Sequence, residues 1–170
     1  MSKIDIVCVY NDEDLYNQMV ESTRGCQDLC INIIGLDNRN GEFKSAAIAY
    51  NFAIEKLCKS QVLVFCHQDI IWSPQAIRKI YEICIEDNNT LYGAAGVLNK
   101  GWRASTVSAI TDPYAKYGLE ENKIINVFTL DELMVTGNSE IFDKLKFDPV
   151  TCFSWDFYAV DLCLQCHLKK

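Results

Sequence analysis

Three polar residues follow directly on a short apolar run in this sequence. Val62 to Cys66, VLVFC, predicts a buried strand, and His67-Gln68-Asp69 stand immediately after it. In extended backbone, residues i and i+2 point to the same side, so His67 and Asp69 can face one site. A carboxylate oxygen suits Mg²⁺ or Mn²⁺, and an imidazole suits Mn²⁺ better than Mg²⁺. The spacing therefore indicates a divalent-cation site at the end of the strand, although a lone H-x-D also arises by chance.

Two other predicted strands also end in polar residues. Ile4 to Tyr10 is followed by Asn11, and Cys30 to Leu36 is followed by Asp37. Right-handed crossovers place the carboxyl ends of parallel strands at one edge of a sheet, where ligands bind. Turns also favour Asn and Asp, so each residue taken alone is compatible with a turn. The three polar clusters together favour a binding cleft.

The elements that must position these clusters alternate between strand and helix. Apolar spacing predicts a helix capped by Asn11 or Asp12, a second from about Ser45 to Lys59, and a third capped by Ser73. Leu91 to Val97 predicts a weaker fourth strand that continues the pattern. This alternation is typical of an α/β fold, with a mainly parallel sheet and helices on both faces.

The second half of the chain changes character. Residues 99–123 predict a long loop that carries Lys100 and Arg103, two cations suited to an anionic ligand. Ile124 to Thr129 and Met134 to Thr136 predict short strands, and a final helix is expected from about Trp155. We find no internal repeat or linker, so residues 1–170 predict a single domain. The chain ends inside a predicted helix, and we expect the natural protein to continue further.

Composition excludes several classes of protein. The 170 residues carry a formal net charge of −7, which argues against binding of a nucleic-acid backbone. No segment has the roughly 18 apolar residues of a membrane span, and the N-terminus lacks signal-peptide features, so we expect a cytoplasmic protein. Nine cysteines, several inside apolar runs, predict reduced and buried thiols. Neither glycine-rich phosphate-loop motif occurs.

Four segments, in order, resemble one known family. They are IDIVCVYND, IGLDNRNGEFKSAAIAYNFAI, VLVFCHQDIIWS and FSWDFYAVDLCLQ. Together they resemble family 2 glycosyltransferases of the GT-A fold. The nearest likeness is to the small glycosyltransferase-like group associated with streptomycin biosynthesis, in which H-Q-D stands in the place of the usual D-x-D. The resemblance spans nearly the whole chain, and the order of the motifs is more specific than any one of them.

The resemblance implies transfer of a hexosyl or similar sugar from a nucleotide-diphosphate sugar to an acceptor, with Mn²⁺ or Mg²⁺. Asp69 matches the last aspartate of D-x-D, which binds the metal on the diphosphate, and His67 replaces its first carboxylate as a second candidate ligand. Charge on the departing diphosphate grows in the transition state, and a cation stabilises it. The residues expected to bind the nucleotide-sugar are Tyr10, Asn11, Asp37, Asn51, His67, Gln68, Lys100 and Arg103.

The expected catalytic base is missing from its usual position. The family places it in a segment like E-D-x-D-L, and the matching position here holds Ala159, which cannot take a proton. Asp161 and Asp156 are the candidate substitutes. The alternative is a sugar-nucleotide-binding or interaction module that has lost transfer chemistry. A receiver-like signalling domain, with Asp69 as phosphoacceptor, fits the second half of the chain poorly.

Overall fold

The computed structural model describes residues 3–99, 104–108 and 123–168. Lys100 and Arg103 lie outside these residues. Twelve helices and strands are described. In chain order they are β1 (Lys3–Tyr10), α1 (Glu13–Thr23), β2 (Cys30–Asp37), α2 (Ala46–Lys56), β3 (Val62–Cys66), α3 (Pro74–Glu86), β4 (Ala95–Asn99), β5 (Ala104–Ser108), β6 (Thr129–Leu130), β7 (Met134–Asn138), α4 (Ser139–Lys144) and α5 (Tyr158–Leu168).

The main sheet has four strands in the order β2-β1-β3-β7. β1 pairs in parallel with both β2 and β3, whereas β7 runs antiparallel to β3. The predicted α/β class is therefore confirmed, with a mixed sheet of mostly parallel strands. The chain passes from β1 to β2 on one side and then to β3 on the other, so the strand order reverses between β1 and β3. Open α/β sheets bind ligands at such a reversal point.

The predicted fourth strand does not extend the parallel sheet. β4 instead forms a separate antiparallel sheet, in the order β5-β4-β6. A Cβ added at Gly96 would meet the carbonyl oxygen of Thr129 at 2.6 Å, so the glycine permits the close approach of β6. The prediction that Leu91–Val97 continues the parallel alternation is wrong, because this sequence is short and rich in small residues, and its pairing depends on distant partners.

The helix starts follow the predicted caps closely. Asp12 Oδ1 accepts hydrogen bonds from the backbone N–H groups of Asp14 and Leu15, at 3.0 and 3.1 Å. Ser45 caps α2 and Ser73 caps α3 in the same way. Each cap lies two to eight residues beyond the preceding strand, so the polar residues at the strand ends precede the following helix. The final helix begins at residue 158 rather than near residue 155.

Helices cover both faces of the main sheet. Alternate residues of β3 point to opposite faces, so Val64 packs with α1 and α3 while Phe65 packs with α2, α4 and α5. Each of these two side chains is fully buried. Burial of apolar surface at about 25 cal/mol per Å² is the dominant stabilising contribution. The two apolar layers hold β1 and β3 rigidly side by side.

One buried carboxyl group joins β1 to the turn before β3. The Asp5 carboxyl accepts hydrogen bonds from Lys59 N at 2.6 Å, Ser60 N at 2.9 Å, Ser60 Oγ at 2.7 Å and Asn32 Nδ2 at 2.9 Å. Asp5 is 1% exposed. These bonds link the amino-terminal ends of β1 and β3, and they help to hold the register that brings the opposite ends together.

All nine cysteines are free thiols, as the sequence predicts, and six of them are buried, whereas Cys30, Cys58 and Cys166 are half-buried. In the parts of the chain that the structure describes, no helix combines the length and apolar character needed to cross a membrane.

Candidate functional site

A cleft of about 280 Å³ opens at the carboxyl ends of β1 and β3. Its volume lies close to the lower end of the range of about 300–1,000 Å³ that is usual for small-molecule sites. The lining residues come from the ends of all three parallel strands and from the segment before α5. They are Val9, Tyr10, Asn11, Asn38, His67, Gln68, Asp69 and Trp155. The predicted convergence of the three strand ends is therefore present in the structure.

Gln68 joins the ends of β1 and β3. Its Oε1 accepts hydrogen bonds from the backbone N–H groups of Asn11 and Asp12, both at 2.9 Å, and its Nε2 donates to Asn11 Oδ1 at 2.8 Å. Because backbone N–H groups can only donate, the atom facing them must be the oxygen, which fixes the orientation of the amide. The predicted ligand-binding amide of Gln68 is thus engaged within the protein, where it positions Asn11.

Tyr10 presents an aromatic ring at the cleft. The ring stacks on Tyr16 with a centroid distance of 4.1 Å, and the guanidinium carbon of Arg39 lies 5.9 Å from the Tyr10 centroid. Burial and the nearby Asp37 carboxylate raise the pKa of the Tyr10 hydroxyl. The arrangement provides an aromatic surface beside the strand ends, next to the Arg39 guanidinium.

Arg39 engages the predicted nucleobase-contacting residue. Its guanidinium forms an ion pair with Asp37, at 2.6 Å between Nη2 and Oδ2, and it also pairs with Glu13. Hydrogen bonds from Arg39 hold the pKa of Asp37 below its ordinary value. The neighbouring Asn38, rather than Asp37, lines the cleft. Arg39 was not singled out from the sequence, because its partner Glu13 lies 26 residues earlier in the chain.

His67 and Asp69 both line the cleft and are exposed. The backbone N–H of His67 donates to the carbonyl oxygen of Leu133 at 3.1 Å, which fixes the start of this loop against the turn before β7. Among the described residues, no group of three or more His, Cys, Asp or Glu side chains is placed to hold a metal ion. A cation at Asp69 would therefore take most of its ligands from outside the described side chains.

Trp155 is a cleft residue that the sequence did not single out for the site. It lies in the segment before α5, where the carbonyl oxygen of Ser154 accepts a hydrogen bond from the N–H of Ala46 at 3.2 Å. This bond places the segment against the start of α2. The available signal was the alternation of Phe153, Trp155 and Phe157 around the start of the final predicted helix.

The candidate bases are not gathered at the cleft. Ala159 is fully buried in the core, and Asp161 accepts a hydrogen bond from Gln165 Nε2 at 2.8 Å. Asp156 is exposed next to Trp155 and pairs with the Ser154 hydroxyl at 3.3 Å. Neither aspartate is among the residues that line the cleft.

Asn51 also lies elsewhere. Its side chain donates to the carbonyl oxygen of Phe147 at 2.7 Å and accepts from the N–H of Phe147 at 3.2 Å. This reciprocal pair fastens α2 to the segment after α4, and Asn51 does not line the cleft. Asn51 therefore has a structural role in this fold.

Comparison of the chain with protein-family models and with curated proteins finds no match.

Proposed function

We propose that this protein is a glycosyltransferase-like enzyme of the GT-A type, which binds a nucleotide-diphosphate sugar with a divalent cation and transfers the sugar to an acceptor. The observation that supports the proposal is the cleft between the ends of β1 and β3. It combines two aromatic rings, three amides, an imidazole and a carboxylate at the point where strand order reverses.

The cleft residues suit the parts of such a donor. The Tyr10 ring offers an aromatic surface to a nucleobase. The Asn38 amide already pairs with the backbone of Phe43, and its second N–H and second lone pair suit a hydrogen bond to the base or ribose. Asp69 is the proposed ligand of a cation on the diphosphate, and His67 is the second proposed ligand of that cation. When bound, Mn²⁺ or Mg²⁺ would stabilise the charge on the leaving diphosphate. The small volume accommodates the nucleotide more readily than the whole donor.

Within this proposal, the protein's own residues orient the donor. Gln68 holds Asn11 and the end of β1 in place before any ligand arrives, so less ordering is needed on binding. Asp156, beside Trp155, is the candidate base closest in sequence to a cleft residue. Asp161 is the second candidate, and its carboxylate already accepts a hydrogen bond from Gln165.

A binding module without transfer activity is the second candidate function. The observation that favours it is the complete burial of Ala159, which leaves the family's base position inside the core. A module of this kind would bind the nucleotide-sugar at the same cleft and leave it intact.

Thermal stabilisation by UDP or GDP, with and without Mn²⁺, tests the proposal. We expect Mn²⁺-dependent stabilisation in the wild-type protein, and its loss in Asp69→Asn but not in the exposed control Asp143→Asn on α4. Donor hydrolysis, measured next with UDP- and GDP-sugars, separates the two candidates. Binding without hydrolysis, unaffected by Asp161→Asn, favours the module. Absence of any nucleotide binding would rule out both.

A further inference from the structure

The exposed side of α2 differs from the exposed sides of α1 and α3. Every exposed residue of α1 and α3 is polar, as is usual for a helix that packs on a sheet and has its other face in water. α2 instead exposes Ile48 and Phe52 next to Glu55 and Lys56, and each of the two apolar side chains is 41% exposed. The solvent-facing surface of α2 therefore has an apolar middle.

The exposed residues form one stripe along this helix. Lys44, Ile48, Phe52 and Glu55 are exposed and follow one another at intervals of four, four and three positions, which places them on the same helix face. Lys56 lies about 100° further round the helix than Glu55, so it stays beside the stripe. The first four residues, the α2 stripe, present a cation at one end, two apolar side chains in the middle and an anion at the other end.

Both charges of the α2 stripe oppose the helix dipole. Lys44 directly precedes the cap residue Ser45, near the positive amino-terminal end, and Glu55 lies in the last turn, near the negative carboxyl-terminal end. Among the described residues, neither side chain has an ion-pair partner. The two charges are therefore unfavourably placed on their own helix, and both are open to a partner of opposite charge.

We propose that the α2 stripe binds the α2 stripe of a second copy of this chain, with the two helices antiparallel across a two-fold axis. Ile48 then packs against the partner's Phe52 and Lys44 pairs with the partner's Glu55, because both pairs of positions are centred near position 50. Two-fold symmetry repeats each contact, as in most homodimers. Each Lys44 approaches the negative end of the partner's helix and each Glu55 the positive end, so both charges become favourable.

The limited length of α2 makes this dimer a weak one. The helix has 11 residues and is about 16 Å long, so the stripe buries less than the roughly 800 Å² per partner of a standard interface. The Phe52 ring already packs with Phe43, at a centroid distance of 5.7 Å, so little ordering of this side chain accompanies association. We expect a dissociation constant on the order of 10–100 μM.

Charge reversal tests the pairing. Analytical ultracentrifugation of the full chain, from about 5 to about 500 μM, measures the dissociation constant. Lys44→Glu and Glu55→Lys should each weaken self-association at least about tenfold, because two like-charged pairs replace two pairs of opposite charge. An equimolar mixture of these two variants should restore the wild-type dissociation constant within about threefold, since their charges complement each other across the two-fold axis. Each reversal also follows the helix dipole, so the melting temperature should stay unchanged or rise.

Two matched controls lie on α3. Lys79→Glu and Glu86→Lys make the same changes of charge at exposed positions, and they should leave the dissociation constant unchanged. Ile48→Gln, which removes an apolar contact and keeps the charges, should weaken the dimer without affecting rescue by the mixed charge variants.

Three results would overturn the inference. A wild-type chain that stays monomeric over the whole concentration range has no such dimer, and a dimer that neither charge reversal weakens uses another face. If both variants are folded and monomeric but their mixture does not associate, the antiparallel pairing is wrong. None of the residues described in α2 lines the cleft, so these outcomes do not depend on nucleotide binding.

Discussion

Replacing Gln68 by leucine should loosen the cleft without disturbing the two apolar cores. The substitution removes three hydrogen bonds, two from backbone N–H groups to Oε1 and one from Nε2 to Asn11 Oδ1. It keeps a side chain of similar size. The strand ends of β1 and β3 then lose their direct side-chain connection, while the sheet pairing between them remains.

The expected loss of stability is modest. A hydrogen bond contributes about 0.5–1.5 kcal/mol net, and these three are partly exposed, so water replaces them at the lower end of that range. We therefore expect a loss of about 1–2 kcal/mol in the free energy of unfolding. For a chain of this size that corresponds to roughly 2–8 °C in melting temperature. If the bonds preorganise the site, a similar free energy is lost from nucleotide binding, or roughly 5- to 30-fold in affinity.

Urea unfolding and calorimetric titration with UDP and Mn²⁺ measure the two quantities separately. Gln68→Glu keeps the oxygen that accepts from the two backbone N–H groups, but it replaces the Nε2 donor by an oxygen that faces Asn11 Oδ1. Its stability and nucleotide affinity should therefore lie between those of the wild type and of Gln68→Leu. Gln61→Leu is the matched control, since Gln61 is exposed at the opposite end of β3. Unchanged stability and unchanged nucleotide affinity in Gln68→Leu would refute the assignment of Gln68 as the residue that holds the cleft together.

Three further predictions concern the fold that supports the cleft. Asp5→Ala leaves four buried or half-buried donors without their acceptor, so it should lower the free energy of unfolding by about 3 kcal/mol. Urea unfolding measures this loss, with Asp143→Asn as the control. A loss below about 1 kcal/mol would contradict the bridging role of Asp5. Gly96→Ala forces a methyl group against the Thr129 carbonyl oxygen and should lower the free energy of unfolding by roughly 1–3 kcal/mol. An unchanged free energy of unfolding would contradict the close approach of β6 to Gly96. The pKa of Asp28 is lowered to about 2, chiefly by its hydrogen bond from Arg78, so its stabilisation is present above the ordinary value of 3.8 and disappears as the pH falls through 2. The stability difference between wild type and Asp28→Asn should shrink over that window, and a difference that grows on acidification would contradict the assignment.

Local patterns predicted the elements that surround the cleft. The apolar runs of β1, β2 and β3 and the caps at Ser45 and Ser73 are short-range signals, so they could be read directly from the chain. The convergence of three strand ends followed from the general geometry of parallel sheets. For these reasons the position of the cleft could be predicted before its contacts were known.

The contacts within the site depend on residues far apart in the chain. Gln68 and Asn11 are 57 residues apart, and Arg39 meets Glu13 across 26 residues, so no local pattern indicates either pair. The pairing of β4 was mispredicted for the same reason, because it depends on β6, which follows much later.

Paramagnetic broadening by Mn²⁺ tests the central claim most directly. Amide signals are recorded by NMR for the wild type with UDP and substoichiometric Mn²⁺. The account predicts that broadening centres on His67, Asp69 and Asn11, depends on UDP and disappears in Asp69→Asn. Broadening centred on the opposite edge of the sheet, near Ser60, or broadening that persists unchanged in Asp69→Asn, would contradict the proposed cation and nucleotide site.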